Sequence, residues 1–202
     1  ALCALLEELG CEVRDLGQVP DDLDATRAAL REAAADNDLV MTSGGVSVGE
    51  EDHVKPAVEA EGRLNMWKIA IKPGKPLAFG EINRAGGGGS AWFVGLPGNP
   101  VSAFVTFLML VRPFILRLQG LTAVAPARYP VRTAFAVSKT APVCEFLRVR
   151  LSASGEAEAF PNQGSGVMTS LCWGDGLLVK PPNTPVAVGD VLSFIPFAGL
   201  LS

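Results

Sequence analysis

The chain has 202 residues, 49% hydrophobic and 19% charged, with a formal net charge of −4. That is a globular composition, long enough for one large or two small domains, and its acidity argues against nucleic acid as a partner. Its four cysteines, Cys3, Cys11, Cys144 and Cys172, form no CxxC pair, which speaks against zinc or a redox dithiol and fits a reducing, cytoplasmic setting.

The chain opens inside a helical pattern. Leu2, Leu5, Leu6 and Leu9 recur at helical spacing before Gly10, with neither Met nor cap ahead of them, so we expect a piece of a longer protein. CEVRDLGQV reads as a short strand with a turn at Gly17. Asp21, Asp22 and Asp24 then lead a helix that turns Leu23, Leu30, Ala33 and Ala34 inward. DLVMTS is near-continuously apolar, as buried parallel strands are. HVKPAVEAEG is a short helix with a proline, and LNMWKIAIKPGKPLAFGEI gives strands around a stiff turn. RAGGGGSA is a hairpin tip or a mobile loop, and WFVGLP one more strand. A long apolar helix follows, with Asn99 as cap and Pro100 at its first position, ending at Gly120. Arg112, Pro113 and Arg117 interrupt it, so we expect a buried helix and no membrane span.

Up to Gly120 the alternation of helix and strand predicts an α/β domain with a largely parallel sheet and flanking helices, over residues 1–120. Beyond it, YPVRTAFAV, EFLRVRL, GLLVKP and DVLSFIPF are short alternating segments split by Gly, Pro and Asn. They predict a small all-β, barrel-like domain over residues 121–202.

Ligands of parallel α/β sheets lie outside the carboxyl ends of the strands, and three loops there carry unusual chemistry. In TSGGVSVGEED, Gly44 and Gly45 let backbone N–H groups face an anion, and Ser43 and Ser47 add hydroxyls. Glu50, Glu51 and Asp52 would repel a phosphate there unless a cation lies between; they also suit the start of a helix. In WKIAIKPGKP, Lys68, Lys72 and Lys75 surround a turn stiffened by Pro73 and Pro76, which suits an oxyanion or, more plainly, solubility. GLPGNPVSA delivers the chain to a helix N-terminus, where Asn99 and Ser102 would donate to a ligand or merely cap. Asp21 and Asp22 read first as helix caps. His53, the lone histidine, has no nucleophile partner and reads as a surface or supporting residue.

In this order and spacing, TSGGVSVGEEDHVK, WKIAIKPGKPLAFG and GLPGNPVSAFVTF resemble the molybdopterin molybdenumtransferase family, which includes the E domain of gephyrin. EFLRVRL and NQGSGVMTSLCWGDGLLVKPP resemble its C-terminal β domain. The resemblance implies an α/β domain like that of the molybdopterin adenylyltransferases and a following β-barrel domain. It implies insertion of molybdenum from molybdate into adenylylated molybdopterin with release of AMP, assisted by Mg²⁺. It further implies a cytoplasmic homodimer in the full-length protein, with the adenylyltransferase as a partner.

Carried over by position, Ser43, Gly44, Gly45, Val46 and Ser47 would hold the pterin and phosphate end. Asp52 would serve Mg²⁺ or the pyrophosphate, and Asp21 matches an acid of the same pocket. Lys68 and Lys72 would bind molybdate or neutralise the pyrophosphate, with Lys75 in the same loop. Pro97, Gly98, Asn99, Pro100 and Ser102 would complete the pocket. The strand and acidic loop with which the family's α/β domain opens are missing here. Two other readings share these motifs: the adenylyltransferase itself, and a non-catalytic scaffold in the manner of gephyrin, which would grip partner peptides.

Overall fold

The computed structural model describes residues 1–46 and 53–200, without the side chains of Met66 and Trp67. In chain order its elements are α1 (Leu2–Glu8), α2 (Leu23–Asp36), β1 (Leu39–Ser43), α3 (Val54–Glu61), β2 (Gly62–Lys68), β3 (Ile71–Lys72), β4 (Pro76–Asn83) and β5 (Ser90–Leu96). There follow α4 (Pro100–Thr106), a π turn (Phe107–Val111), α5 (Arg112–Leu118), β6 (Tyr129–Arg132), β7 (Cys144–Leu151), β8 (Ala157–Ala159), α6 (Thr169–Trp173), β9 (Gly176–Lys180) and β10 (Val191–Pro196). Cys11 to Val19, expected as a short strand with a turn at Gly17, joins no sheet; the Asp15 carboxylate accepts from the Gly17 N–H in a local turn.

The chain forms two compact units. One, the α/β unit, is Val13–Ile69 with Gly74–Asn99; the other, the β unit, is Ala1–Glu12, Ala70–Pro73 and Pro100–Ser202.

In the α/β unit a four-stranded sheet runs β1-β5-β4-β2. Only β1 and β5 pair in parallel; β4 is antiparallel to both β5 and β2. The α/β class holds, but the sheet is mixed where the alternation predicted a largely parallel one. The reason is loop length. Residues 69–75 and 84–89 are too short for the crossover a parallel pair needs, so β2, β4 and β5 must turn back on one another. Leu30 and Ala34 of α2 and Ala57 and Val58 of α3 pack on Val40, Ala78, Ile82, Ala91 and Phe93. Helix α2 starts where Asp22 accepts the Ala25 N–H at 2.8 Å. It stops at the other edge of the sheet, where Arg84 donates to the Ala34 and Asn37 carbonyls.

In the β unit the strands run β3-β7-β9-β10-β6, with β8 on β7. A single parallel bridge, Thr133 with Ala157, links the end of β6 to β8, so the ring is barrel-like without a full closing strand pair. Leu147, Val149, Ala157, Leu178 and Phe194 fill it. Helices α4 and α5 are one continuous helix, Pro100–Leu118. Among the described residues it is the one long and apolar enough to cross a bilayer; half of its most apolar window is buried in the protein. The π turn explains how it passes Pro113. Proline offers no N–H to Met109 and its ring crowds that carbonyl; widening the turn so that the Arg112 N–H donates to Phe107 O absorbs both defects.

Candidate functional site: loops at one sheet edge and a lysine held by a buried ion-pair row

The parallel pair β1–β5 sets the geometry of the α/β unit. Its register, Leu39 with Trp92 through Ser43 with Leu96, ends both strands at the same level, so the loops after them leave side by side. The Gly44 N–H donates to Leu96 O at 3.0 Å. A side chain on Gly98 would stand 3.5 Å from the Gly44 Cα, so the two loop backbones lie against each other. Gly44 and Gly45 have φ of +91° and +66°, a conformation that residues with a Cβ resist. With the Gly44 amide engaged on Leu96, the Gly45 N–H is the next amide on this turn, without a backbone partner among the described residues. Ser43 is exposed, while Val46 is 1% exposed and packs in the core, so only its backbone is left for a ligand. Pro97 is buried; Gly98 and Asn99 are exposed.

The lysine loop reaches this edge through the antiparallel register. Ala78 faces Gly95, so the start of β4 lies by the end of β5, and β2 ends there with Lys68 opposite Pro76. The Ile69 N–H donates to Lys75 O at 3.0 Å and fixes the loop. Lys68 and Lys75 are exposed and have no ion-pair partner among the described residues. Asp21 belongs to the same edge, because α2 runs from Asp22 towards the far edge where Arg84 caps it. Asp22, not Asp21, is the cap. The Asp21 carboxylate stands 3.9 Å from His53 Nε2, so the lone histidine faces an acid of the site.

Ser47 and Asp52, with Glu50 and Glu51, lie outside the described residues. Among the described residues no three His, Cys, Asp or Glu side chains cluster as a metal site requires. Near the loops the Asp21 carboxylate offers one hard oxygen donor, of the kind Mg²⁺ takes.

Sequence reading missed the residues that hold Lys72. In the β unit, β3 pairs in parallel with β7, matching Lys72 with Glu145; β7 pairs with β9, matching Glu145 with Lys180. Lys72 Nζ donates to Glu145 Oε2 at 2.9 Å and Lys180 Nζ to Glu145 Oε1 at 2.7 Å. Lys180 is fully buried and Glu145 nearly so, while the Lys72 side chain is 57% exposed. Burial pushes the Glu145 carboxyl up, but the hydrogen bonds and charges of Lys180 and Lys72 outweigh it and leave it below the ordinary carboxylate value. Nothing local in EFLRVRL or GLLVKP says that these strands pair or which lysine faces which acid.

Pro100 and Ser102 open α4, where the Val101 N–H donates to Ser165 O at 3.0 Å. Ser102 is 4% exposed, so its hydroxyl is shielded from solvent. Thr42 was also overlooked: its Oγ1 is buried without a hydrogen-bond partner among the described residues, one position before Ser43.

Comparison with known proteins gives this arrangement its context. Residues 1–117 match the family described as a probable molybdopterin binding domain, and residues 130–197 that described as the MoeA C-terminal region, domain IV. Over 116 residues the chain is 57% identical to the molybdopterin molybdenumtransferase of Haemophilus influenzae, covering 57% of this chain and 27% of that protein. Over 138 residues it is 34% identical to gephyrin of Dictyostelium discoideum, covering 59% of this chain and 19% of gephyrin. The crystal structure of the molybdopterin biosynthesis MoeA protein from Pyrococcus horikosii superposes with a TM-score of 0.78 at 30% identity, over 97% of this chain and 46% of that one. The chain thus spans less than half the length of these relatives. With both regions matched in order along the chain, the chain belongs to the molybdopterin-binding family of the molybdopterin molybdenumtransferases and gephyrins.

Proposed function

We propose that this chain carries the pterin-binding and lysine-bearing part of a molybdopterin molybdenumtransferase. The reaction inserts molybdenum from molybdate into adenylylated molybdopterin and releases AMP. The observation that carries this reading is the meeting of the Gly44 and Gly98 loops at the edge that also holds Lys68 and Lys75. Cleavage of a phosphoanhydride is mostly positioning and neutralisation of charge, and backbone amides with ammonium groups supply both. The Gly45 amide and the Ser43 hydroxyl would orient the phosphate, Lys68 would draw negative charge from the bridging oxygens, and Asn99 would fix the substrate from the β5 side; the assignment of Lys72 to the same anion rests on the family resemblance. Mg²⁺, when bound, would supply further charge neutralisation, with Asp52 and Asp21 as its protein ligands. The match to the MoeA C-terminal region favours this transferase over the adenylyltransferase that shares the α/β domain. In the whole protein we place the domain division near Gly120, a cytoplasmic homodimer, and the adenylyltransferase as the partner that hands over substrate.

The test is a calorimetric titration of adenylylated molybdopterin into the chain, with Lys68→Ala and Lys72→Ala beside it. Each lost charge-assisted contact should weaken binding about 10- to 100-fold, the range for hydrogen bonds to ionised groups. Binding that ignores both substitutions would remove the lysine loop from the site.

A further inference from the structure

Lys72, Glu145 and Lys180 form one row across three strands, because each is the register partner of the next. Cross-strand partners project from the same face of a sheet, so the row is built into the pairing and owes little to rotamer choice. The row runs from no exposure at Lys180, through 9% at the Glu145 side chain, to 57% at Lys72. Its two carboxylate oxygens are divided, Oε1 to the buried lysine and Oε2 to the exposed one.

Such an arrangement is costly as mere structure. A fully buried ammonium loses several kcal/mol of hydration, and apolar residues of similar volume often serve a core as well or better. An ordinary Lys72–Glu145 pair would also defeat an anion site: it would hold the ammonium but cancel its charge. Adding Lys180 changes the sum. Two ammonium groups on one carboxylate leave a net charge of +1, and the exposed end of the row is Lys72.

We propose that Glu145 and Lys180 are positioning residues for Lys72: Glu145 fixes the ammonium at the edge of the sheet, and Lys180 neutralises Glu145 so that the fixed ammonium still attracts an anionic substrate. The inference rests on the assignment of Lys72 made under Proposed function. Lys180 touches no substrate; it acts through Glu145. A unit charge about 8 Å from a bound anion changes its affinity by about 30-fold at the effective dielectric of a protein surface, and salt screening at the exposed end of the row reduces this to about tenfold.

The experiment is nitrogen-detected NMR of the lysine ammonium groups in the 202-residue chain, titrated with inorganic pyrophosphate and with adenylylated molybdopterin. A held ammonium gives a slowly exchanging signal. In the unaltered chain the Lys72 signal should be present and move on titration. Lys180→Met should keep that signal and the fold, and weaken pyrophosphate binding about tenfold. Lys180→Arg should restore the affinity. Glu145→Gln leaves Lys180 unpaired and risks unfolding, so Glu145→Gln/Lys180→Met is made with it; in that double variant the Lys72 signal should vanish while the thermal midpoint recovers. A Lys180→Met chain that binds as tightly as the original, or a double variant that keeps the Lys72 signal, overturns the proposal. A Lys72 signal that depends on Glu145 yet moves with neither ligand overturns instead the assignment of Lys72 to the site, and the anion half of this proposal with it.

Discussion

At the scale of single residues, Glu145 combines a positional and a thermodynamic role. Its carboxyl sits below the ordinary value of 4.5 in the folded chain, because Lys180 and Lys72 outweigh its burial. The unfolded chain therefore takes up this proton at a higher pH than the folded one. The stabilisation is complete above the ordinary value and is lost as pH falls through the lowered one. Calorimetric melting between about pH 3 and pH 7 should show the unaltered chain losing stability below about pH 4.5 more steeply than Glu145→Gln/Lys180→Met, in which the row is gone. Parallel profiles would mean that other carboxylates govern the acid limb. The same row shows how part of a site escapes a sequence. Lys72 stood out because it lies in a dense local motif, WKIAIKPGKP. Glu145 and Lys180 lie 73 and 108 positions further on, in strands with no local motif around them, and only strand register joins them to Lys72.

At the scale of elements, the segment from Asn162 to Val167 is tied to β7 through Arg148 and Gln163. Arg148 is 1% exposed and donates to Ser170 Oγ, Phe146 O and Gly164 O, each at 3.2 Å. Burial lowers it to about 10, still well above neutrality, so it is a buried cation held by neutral acceptors. Gln163 completes the tie, its amide bridging both backbone groups of Arg148. Ser165, which follows Gly164, accepts from Val101 at the start of α4, so Arg148 supports the first turn of that helix from behind. Arg148→Leu should cost about 2–4 kcal/mol in urea denaturation, since charged hydrogen bonds are lost and polar acceptors stay buried. A loss within about 0.5 kcal/mol, the range of surface substitutions, would show that the segment holds itself. Most elements were legible in advance: α2 from its Asp caps and inward Leu30 and Ala34, β5 from its unbroken apolar run, the hairpin from RAGGGG. The pairing direction of β2 and β4 was not. Apolar content reports that a strand is buried and says nothing of its partner; the short loops, given their due weight, would have called for antiparallel neighbours.

At the scale of the whole molecule, compactness and chain order part company. The texture of the sequence changes near Gly120, where α5 has ended and prolines become frequent. The compact β unit, however, takes in the residues from Pro100 onwards, together with α1 and the two-residue strand β3. Its contacts show why. Phe104 meets Phe197 edge to face with ring centroids 5.7 Å apart, Arg112 Nε donates to Leu200 O at 3.1 Å, and the Val101 N–H donates to Ser165 O. An aromatic pair adds about 0.5–1.5 kcal/mol beyond its burial, and a hydrogen bond from a charged donor about 1.5–3 kcal/mol. For a unit of this size, about 2 kcal/mol moves the melting midpoint by roughly 10 °C. A fragment of residues 100–202 should therefore melt at least about 10 °C above one of residues 121–202, compared by circular dichroism at equal concentration. If the shorter fragment melts as cooperatively and at the same temperature, the change of texture at Gly120 marks the folding boundary as well. If it does not, the helix that begins at the Pro97–Ser102 loop is part of the β unit's own stability. A substitution in that helix would then act on β6 to β10 as well as on the loop at its start.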